Sequence, residues 1–515
     1  MLTHLKAFIV VFVISIVVLV FFRKPFADAV GGKRFDAWRN LWIAMVICLF
    51  LVPSFWLFIV ISGALVFALS RSEPIKPAIF MMLLFAAPAL GDAIPGFAGI
   101  NKFIMVTPQS VTTAILLLPA MFIAKNMKKT SRIGNGADMF FLLWLMLQIA
   151  LCLRGPTFTH IVRTMIESFL VMAPFYYVFS RCPKSLDDIR VISAAYLAPI
   201  LVLSVVSIAE VVRNWHFYTG VSTYWFGELP FSYTMRDGVL RASASVFDPI
   251  VWGLVAMTGI GVGLALFNEK FSRLYKFAGF ILLTAGMITS LSRGPWVGAL
   301  ALIIVFVITG PKASARAAQL GAASVMASLM AMATPFGQKL LDLLPFIGTT
   351  ASDTITYRQR LWDVSLGVIA ENPFLGSPNF QQNPEMETLR QGQGIIDVVN
   401  SYLFIALQSG LIGLGLFLGV FAYALIALRR AMKSAKIYDP EFALYCRAYF
   451  ATIIGILITI FTTSSVFHTP IIYWSFAGLA IALARIEQTR KAAHEAGQSL
   501  GPEKVAATRE HFDWK

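Results

Sequence analysis

Charged residues are scarce in this sequence, and their scarcity decides its broad class. Of 515 residues, 13% are Asp, Glu, Lys or Arg, whereas 58% are hydrophobic. Soluble globular chains carry about 25% charged residues. Apolar stretches of about 18 residues or more, the length that crosses a bilayer as a helix, recur along the whole chain. The composition therefore excludes an ordinary soluble domain and predicts an all-α, polytopic transmembrane helical bundle.

Cysteine is rare as well. The four cysteines lie in or beside apolar stretches, and none falls in a long loop, so we expect neither a disulfide framework nor a cysteine metal site. No pair of carboxylates stands at a convincing metal spacing either, and the sequence predicts no metal and no cofactor. The cysteines are Cys48, Cys152, Cys182 and Cys446.

Acidic residues are outnumbered by basic ones, 27 against 42, which gives a formal net charge of +15. This excess invites a nucleic-acid interpretation. However, the basic residues form short clusters between apolar stretches, as cytoplasmic loops of membrane proteins do. We therefore predict contact with the lipid bilayer and no binding of nucleic acid. The clusters are residues 23–39, 71–76, 125–132, 181–190, 270–276, 312–316, 429–436 and the tail from 485.

The basic clusters also predict the topology, because the chain must leave and re-enter the cytoplasmic side between two of them. We expect about 12–15 spans in one membrane domain, residues 1–486, and a polar cytoplasmic tail, residues 487–515. Two long outer loops, 213–246 and 335–399, are expected to carry function. No small-residue cleavage site follows the first span, which we interpret as an anchor. The predicted spans are residues 5–22, 40–52, 54–70, 78–90, 109–124, 138–153, 162–180, 191–212, 247–267, 276–291, 295–309, 317–334, 400–428, 441–463 and 470–485.

Arg293 stands alone between two apolar stretches, in "MITSLSRGPWVGALAL". No acidic residue lies within fifteen positions on either side of it. Gly294 and Pro295 follow, and we expect them to fix Arg293 in a tight turn between two spans at the outer face. A guanidinium with no carboxylate nearby favours an anion, and its fork of donors fits a phosphate bidentately.

Other arginines also fall in the outer stretches. Such residues can snorkel to the interface or pair with acids instead of binding a ligand, and this alternative fits best for Arg213 and Arg390, which lie in open loops. The full set is Arg154, Arg163, Arg213, Arg236, Arg241, Arg358, Arg360 and Arg390.

Arg241 and Asp248 belong to the segment "RASASVFDPIVWG". Arg241 lies just before an expected span, and Asp248 and Pro249 stand at its expected start. An aspartate at this position can cap the helix, and proline suits the first turn. Helix capping therefore competes with a role for Asp248 in substrate binding.

Arg358 lies in "YRQRLWDVSLGVIAENPF", which we expect to be helical up to the Asn-Pro pair. Arg358, Trp362 and Ser365 share one helix face, whereas Arg360 falls elsewhere and can pair with Asp363. Aromatic residues such as Trp362 can stack on sugar rings, although an interfacial aromatic belt explains them equally well.

Arg241, Arg293 and Arg358 come from separate segments, and their convergence at the outer face would form a site for a lipid-linked phosphate or pyrophosphate. Their segments resemble the bacterial O-antigen ligase/polymerase superfamily, which contains Wzy-type polysaccharide polymerases and WaaL-type ligases. The matching pieces are, in order, "RASASVFDP", "SLSRGPWVG", "YRQRLW…ENPFLGSPNF" and "NSYLFIALQSGLIG". The resemblance covers about residues 240–425, and the first 210 residues match only as apolar spans.

The resemblance implies a GT-C-like glycosyltransferase membrane fold. It also implies a multi-pass protein of the bacterial inner (cytoplasmic) membrane with its active site facing the periplasm. The implied reaction is metal-independent, inverting glycosyl transfer from a glycan carried on undecaprenyl pyrophosphate. The implied partners are this donor, a glycan acceptor, a flippase and a chain-length regulator.

The resemblance also implies roles for individual residues. Arg241, Arg293 and Arg358 match the arginine positions of the superfamily, where arginines hold the pyrophosphate leaving group. Negative charge grows on that group as the glycosidic bond breaks, so arginines placed there stabilise the transition state more than the ground state. The candidate substrate-binding residues are Arg360, Asn400, Trp362 and Asp248.

The chain departs from the ligase pattern at one position. Ligases place a His-Asn pair before the late span, and that histidine is the supposed base, but here Val399 precedes Asn400. Valine cannot accept a proton, so the base must come from elsewhere or the chain is not a ligase. The candidate bases are His468 and Asp397, with His160, His216 and Asp248 as further outer-face groups. His468 can instead be an interface histidine, and Asp397 a helix cap.

Three functions remain in view. A polymerase would join undecaprenyl-pyrophosphate-linked oligosaccharide repeats into O-antigen, capsule or exopolysaccharide, and the missing histidine favours it. A ligase would transfer the finished glycan to lipid A-core or another acceptor. A transporter of lipid-linked oligosaccharide is disfavoured, because its charges should line a central cavity rather than crowd the outer face.

Overall fold

A computed structural model of the protein describes residues 2–96, 102–125, 135–227, 235–236, 238–267, 271–316, 318–319, 321, 352–390, 394, 396–466 and 468–499. In this part of the chain nearly all regular structure is helical. The predicted all-α, polytopic helical bundle is therefore confirmed. The helices are α1 (Leu2–Phe21), α2 (Arg23–Val30), α3 (Gly32–Leu51), α4 (Phe55–Ser70), α5 (Lys76–Leu83), α6 (Pro108–Thr112), α7 (Leu118–Lys125), α8 (Asn135–Cys152), α9 (Phe158–Arg181), α10 (Leu186–Arg213), α11 (Thr219–Phe226), α12 (Pro249–Leu266), α13 (Arg273–Ile288), α14 (Arg293–Ile308), α15 (Ser352–Glu371), α16 (Pro384–Glu387), α17 (Ser401–Ala435), α18 (Pro440–Thr459) and α19 (His468–Ser499).

Short polar side chains define where many of these helices begin. The first turn of a helix leaves backbone N–H groups without a partner, and a Ser, Thr, Asp or Asn just before it can accept their hydrogen bonds. Eight described helices start in this way. The capping residues are Ser54, Thr107, Thr157, Ser185, Asp248, Asn383, Asn400 and Asp439.

Two small antiparallel hairpins interrupt the helical architecture. Strands β1 (Asp92–Pro95) and β2 (Lys102–Val106) pair with Asp92 opposite Val106. Strands β3 (Met235–Arg236) and β4 (Val239–Leu240) pair with Arg236 opposite Val239. The second hairpin leads directly into the segment that carries Arg241.

Seven described helices are long and apolar enough to cross a membrane: α1, α9, α10, α12, α17, α18 and α19. Four shorter apolar helices cover Phe55–Ser70, Pro108–Ile123, Gly136–Cys152 and Arg293–Ile308. All of these coincide with predicted spans, and the predicted spans 40–52 and 276–291 lie on α3 and α13.

One predicted span is wrong, and another lies outside the described residues. Residues 78–90 do not form a continuous helix, because α5 ends at Leu83 and the chain turns over the next residues. Residues 317–334 lie almost wholly outside the described part. The helix α19 continues to Ser499, so the predicted polar tail begins as a helix, and Glu487 at its start is buried. Residues 500–515 lie outside the described part.

Helices α14 and α18 pack closely through two glycines. A Cβ atom at Gly294 would overlap the side-chain oxygen of Thr462, and one at Gly298 would overlap that of Thr459. Small residues four positions apart let two membrane helices bring their backbones together. Gly294 therefore lies at a helix contact rather than in the tight turn expected from the sequence.

The long helix α17 is broken at Gly410, which has a φ of 67°. The backbone N–H groups of Leu411 and Ile412 donate to the carbonyls of Pro373 and Phe374 at 2.7 and 3.3 Å. Ser377 N donates to Leu407 O at 2.8 Å. The segment just after α15 thus replaces hydrogen bonds that the helix lacks.

Arg154 completes this junction. Its guanidinium donates to the carbonyl oxygens of Gly376, Leu375 and Gln408 at 2.8, 3.2 and 3.1 Å. Backbone groups left without a partner at membrane depth are costly. Arg154, grouped above with the outer arginines, is thus occupied with backbone carbonyls.

The two ends of the bundle differ in character. At one end, ion pairs join members of the basic clusters, with Arg190 bound to Glu441 at 2.7 Å and Arg181 bound to Asp138 at 3.0 Å. These residues stand near the beginnings of α8, α10 and α18 and at the end of α9. The opposite end collects the starts of α12, α14 and α17 and the end of α18. That second end carries Arg293 and the other predicted site residues.

Candidate functional site

The segment 241–248 is held in an irregular conformation by a buried carboxylate. Glu210, near the end of α10, is 0% exposed. Its oxygens accept hydrogen bonds from the backbone N–H groups of Ser243 and Ala244 at 3.1 and 2.9 Å and from that of Phe217 at 3.2 Å. Ala244 and Phe247 both have positive φ, at 47° and 63°. Several charge-assisted hydrogen bonds to one carboxylate offset the cost of such a conformation.

Arg241 enters this segment from β4 and lies against the turn that precedes α14. Its Nε donates to Ser290 O at 3.3 Å, and its Nη2 donates to Ser292 Oγ at 2.8 Å. The pKa of Arg241 is lowered to about 10, mainly by burial and then by the positive charge of Arg236. Arg241 therefore remains charged at neutral pH, in a setting that disfavours an isolated charge.

Arg293 is the first residue of α14, and the turn before it covers residues 289–292. The expected turn thus lies just before Arg293 rather than around it. Leu291 in this turn has a φ of 45°, and its carbonyl oxygen accepts a hydrogen bond from the Arg236 guanidinium. Pro295 fits because a proline in the first helical turn costs no hydrogen bond.

Arg358 projects from α15 toward the same place. Its Nε is buried and makes no hydrogen bond within the described residues. Burial lowers the pKa of Arg358, the carboxylate of Asp397 opposes that shift, and the charge of Arg293 adds to it. Arg358 thus lies within electrostatic reach of both Arg293 and Asp397, and it also acts on Arg241.

Two carboxylates lie among these arginines. Asp397 accepts a hydrogen bond from Ser464 Oγ at 2.7 Å, and its backbone carbonyl accepts one from the Tyr357 hydroxyl at 3.0 Å. Asp248 caps α12 by accepting from the N–H groups of Ile250 and Val251 at 2.6 and 3.0 Å. The expected cap is therefore present.

The charge on Asp248 is set by its surroundings as well as by capping. Burial raises the pKa of Asp248, its backbone hydrogen bonds and Arg241 lower it, and Asp397 raises it. Asp248 and Asp397 therefore lie close enough to interact electrostatically. The name "arginine cluster" is used below for Arg241, Arg293 and Arg358, which come from three separate segments and of which Arg358 interacts electrostatically with both others.

The candidate substrate-binding residues are placed less uniformly. Asn400 is 5% exposed and caps α17, with its Oδ1 accepting from Tyr402 N at 2.9 Å and Leu403 N at 3.2 Å. Trp362 is 40% exposed, and its ring centre lies 5.9 Å from that of Phe461.

The remaining side chains of α15 divide between a buried and an exposed face. Arg360 is exposed and makes no ion pair with Asp363 within the described part of the chain, contrary to expectation. Ser365 is fully buried on the face that Arg358 partly shares, whereas Trp362 stands at its edge.

His468 does not join the arginine cluster. It is 0% exposed, its Nε2 lies 3.4 Å from Gln109 Nε2, and its ring centre is 5.6 Å from that of Phe85. The ring is therefore closed to a substrate in this conformation. His216 lies 3.4 Å from a Glu210 oxygen, and His160 lies 3.2 Å from an Arg163 nitrogen. Of the candidate bases, Asp397 is the one beside Arg358.

Sequence reasoning missed the roles of Glu210 and Arg236. Glu210 was not among the candidate residues, yet it holds the backbone that follows Arg241. A buried acid at a helix end in an apolar span was the available signal, because such groups are costly without several donors. Arg236 could not be singled out, because its partner is a backbone carbonyl in a distant turn.

The described residues contain no group of three or more His, Cys, Asp and Glu side chains arranged to hold a metal ion. The cationic side chains of the cluster suit an anionic ligand instead. A search of curated proteins finds no match to the chain.

Residues 278–418 match the family model of the O-antigen ligases, Wzy_C. The resemblance to the O-antigen ligase/polymerase superfamily is thus confirmed over this region. The match begins in α13 and ends within α17, so it contains Arg293, Arg358 and Asp397. Arg241 and Asp248 lie outside the matched residues. The fold nevertheless places Arg241 within electrostatic reach of Arg358, and Asp248 within reach of Asp397. A function of the general O-antigen ligase/polymerase type follows.

Proposed function

We propose that the chain is a polysaccharide polymerase that joins oligosaccharide repeats carried on undecaprenyl pyrophosphate. The observation that carries the proposal is the convergence of Arg241, Arg293 and Arg358 beside Asp397 at one end of the helical bundle. Three guanidiniums outnumber the two carboxylates among them, Asp248 and Asp397, so the excess of cationic side chains attracts a further anion. A diphosphate suits such a place because its oxygens can accept paired hydrogen bonds from more than one arginine.

The arginine cluster acts on the leaving group in this proposal. A sugar hydroxyl of the acceptor repeat attacks the anomeric carbon of the donor glycan with inversion. A new C–O bond forms, the bond between that carbon and the pyrophosphate oxygen breaks, and the electron pair leaves with the pyrophosphate. The guanidiniums stabilise this growing charge, which is a contribution made mainly in the transition state.

Asp397 is the proposed base that accepts the proton of the attacking hydroxyl. Its carboxylate lies beside Arg358 and accepts a hydrogen bond from Ser464. A carboxylate oxygen at this position can accept the proton of the attacking hydroxyl. Val399, which replaces the ligase histidine, cannot perform this role, and His468 is buried away from the cluster.

In many reactions with a phosphate or pyrophosphate leaving group, a divalent cation supplies the positive charge that stabilises this group. The arginines supply that charge here, so the proposed reaction needs no metal and no cofactor. The proposed place is the periplasmic face of the bacterial inner membrane. The arginine cluster lies at the end of the bundle opposite the basic clusters, and such clusters mark cytoplasmic loops. A flippase would deliver the lipid-linked repeats, and a chain-length regulator would limit the product.

A ligase is the second candidate, and the description of the matching family as O-antigen ligase favours it. Such an enzyme would use the same arginine cluster on the same donor but pass the glycan to lipid A-core or another acceptor. The presence of Val399 where ligases have a histidine favours the polymerase.

The deciding experiment measures undecaprenyl-linked glycans in a strain that lacks this chain. Accumulation of single repeat units facing the periplasm is the expected result. Long lipid-linked chains that never reach their final acceptor would instead identify a ligase. Single units retained on the cytoplasmic side would overturn the proposal in favour of transport.

A further inference from the structure

A cleft of about 230 Å³ opens where α15 ends and the chain turns back toward α16. Six polar side chains line it: Glu371, Asn372, Ser377, Asn379, Gln382 and Asn383. The apolar part of the wall comes from Val368 and Phe380. None of these residues belongs to the site described above.

The polar side chains of the cleft differ in kind from those of the arginine cluster. Four of them are amides, and no cation lines the wall. An amide offers donors and an acceptor at once, as a sugar hydroxyl does, whereas a phosphate requires donors only. The cleft therefore suits a neutral, polyhydroxylated ligand rather than a pyrophosphate.

The single charge in the cleft is already engaged. Glu371 accepts a hydrogen bond from the Asn383 side-chain amide at 2.9 Å, and Asn383 Oδ1 accepts from Glu385 N at 2.9 Å. This chain of bonds fixes one wall. By contrast, the side-chain amides of Asn379 and Gln382 make no hydrogen bond within the described residues and are exposed.

The floor of the cleft is rigid. Phe380 is 5% exposed, and its ring packs edge-on against Phe404 of α17 at 5.9 Å between ring centres. Ser377 N donates to Leu407 O at the break in the same helix. Amides presented from a fixed backbone lose less conformational freedom when they bind.

We propose that this cleft is a glycan subsite, which binds sugar units of a lipid-linked chain at a distance from the centre of transfer. The identity of the ligand rests on the proposed function. Arg358 and Glu371 lie on the same helix, and thirteen residues of α-helix span about 20 Å. A glycan held at both places would therefore extend over several sugar units, so the cleft would favour oligosaccharide repeats over single sugars.

The test uses the purified full-length chain in lipid nanodiscs. The probe is the oligosaccharide repeat of the same strain, released from its lipid carrier by mild acid so that it carries no pyrophosphate. Binding is measured by saturation-transfer NMR and calorimetry for the wild type, for the double variant Asn379→Ala/Gln382→Ala and for Gln381→Ala. Gln381 is exposed and adjacent but does not line the cleft, so it serves as the matched control.

We expect the double variant to bind the repeat about tenfold more weakly, because two amides lose their hydrogen bonds to sugar hydroxyls. The Gln381→Ala variant should match the wild type. In polymerisation assays the double variant should raise KM for the repeat about tenfold while changing kcat less than threefold. Equal binding by all three proteins, or none by the wild type, would overturn the subsite.

Failure of the subsite can be distinguished from failure of the proposed function. Arg358→Ala should bind the free repeat normally and fail to polymerise lipid-linked repeats. If the double variant binds the repeat more weakly than the wild type but the strain that lacks the chain still makes full-length polymer, the cleft stands and the polymerase assignment falls. If polymerisation depends on the chain but the double variant behaves like Gln381→Ala, the polymerase assignment stands and the subsite falls.

Discussion

Replacing Arg358 with alanine separates a role in the reaction from a role in the fold. Arg358 is half-buried, its Nε makes no hydrogen bond within the described residues, and its charge faces Arg293 as well as Asp397. Little of the structure depends on it. If the guanidinium serves the leaving group, activity should fall while stability stays nearly unchanged.

The size of the loss follows from what such a donor contributes. Removing one preorganised donor from a developing anion typically costs about 3–4 kcal/mol, or about 10²–10³ in rate. Because the Nε of Arg358 makes no hydrogen bond within the described residues, the free energy of unfolding of the protein should change by less than about 1 kcal/mol in this variant. Arg358→Lys keeps the charge but loses the bidentate fork, so it should recover only part of the rate.

The assay measures polymerisation of purified lipid-linked repeats in proteoliposomes, together with thermal unfolding of the same samples. Arg213→Ala is the control, since Arg213 is exposed at the end of α10 on the same end of the bundle. It should change the rate less than threefold. A loss below tenfold for Arg358→Ala, or an equal loss for Arg213→Ala, would refute the assignment of charge stabilisation to the arginine cluster.

Three further predictions test other parts of the site. Asp397→Asn should lower kcat about 10²–10⁴-fold with little change in KM, as measured in the same assay, because the amide cannot accept the proton; an active variant would rule out Asp397 as the base. Gly294→Ala should lower the free energy of unfolding by about 1–3 kcal/mol, because the added methyl group overlaps Thr462. Adding Thr462→Ala to this variant should restore part of the thermal stability. An unchanged melting temperature for Gly294→Ala would contradict the close helix contact. The pKa of Arg241 is lowered to about 10, so this guanidinium should lose its contribution to pyrophosphate binding as the pH rises through about 10. Because pyrophosphate itself titrates at lower pH, calorimetric titrations should compare two proteins: Arg241→Ala should bind more weakly than the wild type near neutral pH, and the difference should shrink above about pH 10.

The parts of the site that depend on local chemistry or on topology could be predicted from the sequence. Asp248 and Asn400 were expected near helix starts, and both cap helices, because an N-cap is decided by a few adjacent residues. Arg241, Arg293 and Arg358 were expected at one face because the basic clusters fix which ends of the spans lie together. Periodicity and charge therefore suffice for the coarse arrangement.

Features that depend on distant backbone could not be predicted. Residues 78–90 are almost all apolar, whereas the helix there ends at Leu83. Hydrophobicity alone does not show where within such a stretch a helix ends. Gly294 follows a turn in sequence, but its small size serves a contact with Thr462 of another segment. His468 begins the last long helix, and its complete burial, which the sequence did not reveal, depends on Gln109 and Phe85, far away in the chain.

The break in α17 bears on how the chain is assembled during synthesis. Its substitute hydrogen-bond partners are Arg154, Pro373, Phe374 and Ser377. All of them precede Gly410, so the ribosome has made every partner before the break itself emerges. Residues 373–377 are therefore already present to form hydrogen bonds with the broken turn of α17 when that helix is inserted. Circular permutation that moves residues 373–377 behind α17 would reverse this order, so the turn at Gly410 would be made before its hydrogen-bond partners.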